Sequence, residues 1–308
     1  MGLRLNTRVV ECLKANPGVR FTAREIAQWI AENYPDECAE KLATSKRLSS
    51  DADLMQQIAA EIGANRPTIE KKWNAVRTTA ERPRKYFWSE FSDEAIAKAA
   101  EIVHESGPLG EIDEREESES DLYPKLVQYL SSEWGLFAKR IDEKTASNRR
   151  GPQGNRWLFP DLVAMEDLTT DLAGSVRDFH SISGARKFRI WAFEVKLVLN
   201  RSNVRESFFQ TVSNSSWANF GYLVASEIQS DETLKELQIL CSLHGTGLIL
   251  LNSSNPDESE IRIAARERQD IDWANANRLA GENRDFMSVV ELLKEFHQTG
   301  KPKRNEWD

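Results

Sequence analysis

The stretches Phe159–Ala164 (FPDLVA) and Trp191–Leu197 (WAFEVKL) carry charged residues inside runs that are otherwise typical of buried strands. Burying an unpaired carboxylate costs on the order of several kcal/mol, so a charge at such a position needs a reason. Because side chains alternate along a strand, Glu194 and Lys196 are predicted to share one face while Val195 faces the opposite layer. These charged positions are therefore the first candidates for a functional site.

The residues around these stretches predict a mixed α/β domain. A helix over Glu119–Trp134 comes first, with an apolar stripe that includes Leu122 and Tyr123. Strand-like runs follow at Leu136–Ile141, Trp157–Met165, Phe188–Leu199, Gly221–Ala225 and Leu248–Leu251. Helical segments lie between or after them at Val204–Ser215, Glu232–Leu243 and Met287–Phe296. This α-β-β-β-α-β order predicts a mixed sheet with helices packed on it.

The charged residues of the two strands could form a metal site. If Asp161 lies on a strand beside Glu194, two carboxylates and the Lys196 ammonium converge. Two carboxylates with a backbone carbonyl and waters are the hard oxygen ligands that Mg²⁺ prefers. The lysine could orient a water or offset charge on phosphate oxygens. Glu119 begins the core-facing stripe of its helix, from which it could add an acidic ligand.

For each of these residues the alternative is a purely structural role. Asp161 could be a turn residue after Pro160, and Glu194 with Lys196 could be a surface ion pair on one strand, although neither alternative accounts for the apolar residues around them.

Gln210 falls opposite the apolar stripe of its helix, at 100° per residue. Either that helix is buried on both sides and Gln210 points to the site, or Gln210 is exposed. Asn214 and Trp217 lie on the same side of the helix as Gln210, so the same two possibilities apply to them.

The first ninety residues predict short helices followed by a β-ribbon. Thr22 is a predicted N-cap for a helix over Ala23–Tyr34, with Glu25 completing a capping box. A later helix over Asp51–Ile62 is expected to stop at Gly63, with a further short helix opening at Pro67. Helices followed by a basic, aromatic hairpin are typical of a winged helix-turn-helix. The alternative is a small helical protein-interaction domain whose aromatic residues are core.

Charge is distributed unevenly along the chain. The net charge is −8, but residues 1–90 carry 15 Lys/Arg against 12 Asp/Glu, and residues 91–120 carry 2 against 10. A local basic surface suits a phosphate backbone. The predicted backbone contacts are Arg66, Lys71, Lys72, Arg82, Arg84 and Lys85. We therefore predict a winged-helix DNA-binding domain over 1–91, an acidic helical linker over 92–118 and the α/β domain over 119–308.

Several classes of protein are disfavoured. No stretch approaches the roughly eighteen apolar residues of a membrane span, and the N-terminus lacks a signal-peptide pattern. Three widely separated cysteines argue against a disulfide framework or a thiolate metal cluster. We expect a cytoplasmic protein. The four histidines lack metal-binding spacing, and the chain has no glycine-rich phosphate loop, so a nucleotide cofactor is not expected.

Together, the helical Glu119, the Pro160-Asp161 pair and the Glu194-Val-Lys196 motif resemble the PD-(D/E)XK nuclease superfamily. The first ninety residues resemble the winged helix of the HARE-HTH type that accompanies restriction-endonuclease-like proteins. The two together are similar to a bacterial family of HrgA-like predicted restriction enzymes, over most of the chain. The resemblance implies a restriction-endonuclease-like α/β fold over 119–308. It also implies that the superfamily's helical glutamine corresponds to Gln210.

The function implied is that of a Mg²⁺-dependent DNA endonuclease, with Mn²⁺ able to substitute. Asp161 and Glu194 would hold the ion, Glu119 would add an acidic contact, and Lys196 would orient the attacking water. The resemblance implies restriction of foreign double-stranded DNA, including DNA with modified bases. A double-strand cut by single active sites implies a homodimer or the paired engagement of two molecules. The alternatives are a DNA-binding regulator with a catalytically idle nuclease-like domain, and a DNA-repair or RNA-processing nuclease of the same fold.

Overall fold

A computed structural model of the chain describes residues 3–45, 48–102, 117–147 and 157–308, with the side chains of 100–102 excepted. The chain divides into two compact units. The first consists of Met1–Ile96 together with Ile228–Leu234, and the second of Ala97–Glu227 together with Lys235–Asp308. Most of the predicted linker, residues 103–116, lies outside the described residues. No helix in the described part of the chain is both long and apolar enough to cross a membrane.

The N-terminal unit is mostly helical. Its helices are α1 (Leu5–Ala15), α2 (Ala23–Asn33), α3 (Pro35–Thr44) and α4 (Asp51–Lys72), and α5 (Asp93–Ile102) begins in this unit and continues beyond Ile96. The predicted capping box of α2 is confirmed, since Glu25 N donates to Thr22 Oγ1 and Thr22 N donates to the Glu25 carboxylate. Pro35 occupies the first turn of α3, where the backbone N–H that proline lacks would have no partner within the helix.

The helix break predicted at Gly63 and Pro67 is wrong, because α4 continues through both residues. Glycine weakens a helix interior by only about 1 kcal/mol relative to alanine. The ring of Pro67 opposes the carbonyl four residues earlier, which belongs to Gly63 and has no side chain beside it. Buried side chains before and after this point, from Ile58 and Ile62 to Ile69, belong to one core. Tertiary packing therefore holds the helix together across two weak positions.

A small sheet completes this unit. Its strands are β1 (Phe21–Thr22), β2 (Val76–Thr78) and β3 (Lys85–Trp88), in the antiparallel order β1-β3-β2. Tyr86 and Phe87 are buried, so the aromatic ribbon contributes to the core as well as to the hairpin. Within the same unit, Ala80 N donates to Ile228 O, and Thr79 forms an antiparallel bridge with Gln229.

The second unit contains a mixed six-stranded sheet, as expected. Its strands are β4 (Phe137–Arg140), β5 (Leu162–Asp167), β6 (Phe188–Leu199), β7 (Phe220–Ile228), β8 (Gly247–Leu250) and β9 (Glu260–Ile263), adjacent in that order. The pairs β4–β5, β5–β6 and β8–β9 are antiparallel, and β7–β8 is parallel. The helices are α6 (Glu119–Trp134), α7 (Gly174–Ile182), α8 (Val204–Ser215), α9 (Asp231–His244), α10 (Trp273–Glu282) and α11 (Arg284–Thr299).

Both faces of the sheet are covered by apolar layers. On one face α6 packs through Leu122, Leu126 and Leu130 against a cluster that includes Phe193 and Val195 of β6. On the other face α10 and α11 pack against a cluster that includes Ile190 and Ala192 of β6. The even-numbered and odd-numbered residues of β6 thus face different layers, as the period of a strand requires. Polar side chains of β6 can therefore enter one layer selectively.

The structure adds elements that the sequence patterns did not predict. The polar segment between β5 and β6 contains α7, whose residues are all at least partly exposed. Strand β9 and helix α10 follow β8. Strand β9 is four residues long and has no fully buried residue, and α10 buries Ala276, Leu279 and Ala280, of which only Leu279 is a large apolar residue.

Candidate functional site

Glu194 and Lys196 lie two residues apart in the middle strand β6. The exposed fraction is 2% for Glu194 and 6% for Lys196. Lys196 Nζ donates to Glu194 Oε1 at 3.0 Å. The alternative of a surface ion pair is therefore wrong, because both charges are removed from water. A buried pair of this kind contributes little net stability, since the desolvation penalty offsets the Coulomb attraction.

Asp161 immediately precedes β5 and is held against β6. Its backbone N–H donates to Phe193 O at 2.9 Å, and its side-chain Oδ2 accepts the N–H of Val195 at 2.7 Å. On the other side, Ile141 N donates to Asp161 O at 2.9 Å. The antiparallel register that pairs Leu162 with Phe193 thus sets the Asp161 carboxyl beside the Glu194–Lys196 segment.

Helix α6 brings a further carboxylate to the same place. Glu119 is its first residue and is buried, and its Oε1 lies 3.5 Å from Lys196 Nζ. One turn later, the hydroxyl of Tyr123 makes a long hydrogen bond of 3.4 Å to Asp161 Oδ1. Residues 77 positions apart in the chain therefore meet at the Lys196 ammonium.

The side of helix α8 that carries Gln210 is buried, so the alternative of an exposed Gln210 is wrong. The exposed fraction is 4% for Gln210 and 1% for Asn214, while Phe208 on the opposite stripe is fully buried. Asn214 Nδ2 donates to Glu194 Oε2 at 2.9 Å and to Phe159 O at 2.9 Å. Gln210 lies one turn before Asn214 on the same side of α8. Asn214 is therefore the residue of this helix that is seen to bind the Glu194 carboxylate.

The site perturbs the protonation of its members. Burial, and then the negative charge of Asp161, raise the pKa of Glu194 from 4.5 to about 8, although Lys196 and Asn214 oppose the shift. Burial alone would lower the pKa of Lys196, but the carboxylates of Glu119, Glu194 and Asp161 outweigh it and raise that pKa above the ordinary value of 10.5. Burial, followed by Asp161 and Glu119, also raises the pKa of Tyr123. Perturbed groups gathered in this way are characteristic of functional sites and also of structural ion pairs.

The acidic residues lie around Lys196. Within the described residues, no group of three or more His, Cys, Asp or Glu side chains is close enough to hold a metal ion. The donor chemistry of Asp161 and Glu194 nevertheless fits a hard cation, because a carboxylate oxygen that accepts one hydrogen bond keeps a second lone pair. Burial, and then the negative charge of Asp161, disfavour the ionised form of Glu194. A divalent ion bound there would favour the ionised form.

Three residues at the site were missed or left undecided by the sequence patterns. Asn214 shared the uncertainty over Gln210, although its spacing of four residues already placed both on one side of α8. Tyr123 was noted only as a member of the apolar stripe of α6. No sequence pattern marked Arg140 as a site residue, yet its guanidinium carbon lies 3.5 Å from the centroid of the Tyr123 ring.

The six basic residues predicted to contact a phosphate backbone fall into two groups in the N-terminal unit. Arg66 and Arg84 both pair with the carboxylate of Asp231, at 2.8 and 2.5 Å. The exposed group consists of Lys71, Lys72, Arg82 and Lys85. Four of the six therefore offer exposed surface charge, while two are already committed to an acidic partner.

Comparison of the chain with protein-family models, with curated proteins and with solved structures finds no match in any of the three.

Proposed function

We propose that this protein is a Mg²⁺-dependent DNA endonuclease that hydrolyses phosphodiester bonds. The observation that carries the proposal is the buried contact of Lys196 with both Glu119 and Glu194, beside the carboxyl of Asp161. Packing apolar residues at these positions would serve stability at least as well, so a buried charge cluster favours a chemical role. The order of elements around it supports the resemblance to the PD-(D/E)XK superfamily.

The chain's own residues have distinct tasks in this reaction. Asp161 and Glu194 would hold Mg²⁺, with Glu119 adding an acidic contact. When bound, that ion activates a water and polarises a phosphoryl oxygen. Lys196 donates from one side of Glu194 and is positioned to orient the attacking water and to offset charge on the phosphate. Asn214 holds the Glu194 carboxylate from α8, and by the resemblance Gln210, one turn earlier on the same side, would be the superfamily's helical glutamine.

For the N-terminal unit, we propose a winged-helix role in holding the duplex. Lys71, Lys72, Arg82 and Lys85 are exposed and would contact phosphates directly. Arg66 and Arg84 would contact phosphates only by exchanging Asp231 for the backbone. By the same resemblance, the biological role is restriction of foreign DNA, with modified bases as a target. One site cuts one strand, so a double-strand cut calls for a homodimer.

The first experiment is a cleavage assay on modified and unmodified plasmid and phage DNA, with Mg²⁺, with Mn²⁺ or with EDTA. Wild-type protein is compared with Lys196→Ala and with Lys294→Ala, which removes the same charge from an exposed position of α11. Because Lys196→Ala leaves two buried acids without their partner, melting temperatures are measured in parallel. Asp161→Asn, at a half-buried position, is the second site variant.

Cleavage that requires the metal, disappears in both site variants and persists in Lys294→Ala would support the proposal. DNA binding without cutting on any substrate would overturn it in favour of a regulator with an idle nuclease-like domain. Preferential cutting of RNA or of damaged DNA would instead indicate an RNA-processing or repair nuclease.

A further inference from the structure

Arg140 lies at the edge of the acidic site, on the strand next to Asp161. It is the last residue of β4 and pairs across the antiparallel ladder with Leu162, the residue that follows Asp161. The next residue, Ile141, donates its N–H to the Asp161 carbonyl at 2.9 Å. The backbone positions of Arg140 and Asp161 are thus fixed relative to each other by the sheet.

An aromatic ring holds the guanidinium in place. The Cζ atom of Arg140 lies 3.5 Å from the centroid of the buried Tyr123 ring, whose hydroxyl reaches Asp161 Oδ1. Tyr123 lies one turn after Glu119 in α6, so the ring connects the arginine to two acids of the site. Stacking on a ring occupies the face of a guanidinium and not the edge, where its N–H groups lie.

Arg140 differs from other arginines of this unit in its partners. Arg189 pairs with both Glu166 and Glu267, and Arg177 donates to three backbone carbonyls. Within the described residues, the Nη1 of Arg140 is buried without a hydrogen-bond acceptor. Asp308 accepts the backbone N–H of Arg140 rather than the guanidinium. The residue is half-buried, so the rest of its side chain remains in contact with the surface.

A positive charge at the position of Arg140 would favour binding of the phosphodiester in the proposed reaction. In the absence of a metal ion, the acids Glu119, Asp161 and Glu194 outnumber the single ammonium of Lys196, so the cluster alone does not attract a phosphodiester. A guanidinium supplies a permanent positive charge and a planar fork of donors that matches phosphate oxygens.

We infer that Arg140, stacked on Tyr123, forms an anion-binding position that holds a non-bridging phosphate oxygen of the nucleic-acid backbone beside the acidic cluster. This inference rests on the proposed nuclease function for its ligand. It predicts a direct contact between Arg140 and one phosphate, which binding measurements detect without any cleavage.

The test uses the full chain and a DNA duplex. Arg140→Gln keeps a planar polar end that can stack on Tyr123 but removes the charge, and Arg140→Lys keeps the charge without the fork. The matched control is Arg278→Gln on α10, an arginine that is 43% exposed beside Glu282. Affinity is measured in EDTA over a series of salt concentrations, kcat and KM are measured with Mg²⁺, and melting temperatures are recorded for every variant.

For Arg140→Gln we expect the DNA affinity to fall by about tenfold or more, as for the loss of a charged hydrogen bond. The negative slope of log K against log salt concentration should become less steep by about 0.9, the value for one phosphate bound on duplex DNA. Arg140→Lys should keep the wild-type slope, and Arg278→Gln should keep both slope and affinity. A lower melting temperature with an unchanged salt slope would overturn the inference, because Arg140 would then be only a packing residue.

The two proposals fail in different ways. If wild-type protein and Arg140→Gln cleave DNA with the same kcat/KM and the same salt slope, the anion position is wrong while the nuclease stands. If no metal supports cleavage but Arg140→Gln binds DNA in EDTA with the smaller salt slope, the nuclease is wrong while the anion position stands. A wild-type protein that binds no duplex at all would overturn both.

Discussion

Asn214 and Glu194 are joined by a buried hydrogen bond of 2.9 Å that connects α8 to the middle of β6. The same amide nitrogen donates to Phe159 O, two residues before Asp161. The Asn214 side chain therefore fixes the orientation of the Glu194 carboxylate and the position of the backbone that leads to Asp161. This bridge sets the geometry of the site from the side opposite Lys196, which donates to the other oxygen of Glu194.

Replacing Asn214 should separate these two segments. Asn214→Ala removes both donated bonds and leaves Glu194 Oε2 and Phe159 O without this donor, so we expect the free energy of unfolding to fall by about 1–3 kcal/mol. The measurement is urea denaturation. Asn277→Ala on the exposed side of α10 is the matched control and should change stability little. An Asn214→Ala protein as stable as the control would contradict the assigned bridge.

Glu194 should make stability depend on pH in metal-free buffer. Its pKa is raised from 4.5 to about 8, so between these values the folded state keeps a proton that the unfolded chain has released. Its contribution to stability is therefore complete below pH 4.5 and is lost as the pH rises toward 8. Relative to Glu194→Gln, the wild-type free energy of unfolding should fall by roughly 1 kcal/mol per pH unit within this window.

Denaturant titrations at about pH 5.5 and about pH 7.5, both inside this window, test the expectation. Added Mg²⁺ should reduce the loss at the higher pH for wild-type protein but not for Glu194→Gln, because a cation favours the ionised carboxylate. Equal pH profiles of the two proteins in EDTA would show that Glu194 titrates near its ordinary value.

The basic residues of the N-terminal unit should separate into binding and structural residues. Substituting Lys71 or Lys72 by alanine should weaken binding to any duplex sequence and lower the salt slope by about 0.9 for each phosphate that the variant no longer binds. Substituting Arg66 should mainly lower the melting temperature, because it breaks the pair with Asp231. The reverse pattern, with Arg66→Ala lowering the salt slope most, would show that Asp231 yields this arginine to DNA.

The capping box of α2 should contribute to the stability of the N-terminal unit. Thr22→Ala removes the side-chain acceptor for Glu25 N, so we expect a loss of about 1 kcal/mol in the free energy of unfolding. Thr22→Ser, which keeps the hydroxyl, is the control and should lie close to wild type. Thermal unfolding followed by circular dichroism gives the comparison, and two variants with equal melting temperatures would argue against the cap.

Local physics made much of the fold predictable. The bounds of α6, α8 and β6 follow from apolar periodicity and agree with the structure. The capping box at Thr22 was also predictable, because it depends on residues three positions apart. The helix break that Gly63 and Pro67 predicted locally was wrong, because buried contacts on both sides of these residues keep α4 continuous.

The sequence by itself determined which residues of β6 share a face and that Glu119 begins the buried stripe of its helix, because strand and helix periods are properties of the local backbone. Only the tertiary structure decided that Glu119 reaches Lys196 and that Asn214 binds Glu194. It also decided that Arg140 stacks on Tyr123, and that Arg66 is paired rather than free. These contacts join residues far apart in the chain, so they depend on strand register and helix docking, which no local pattern encodes.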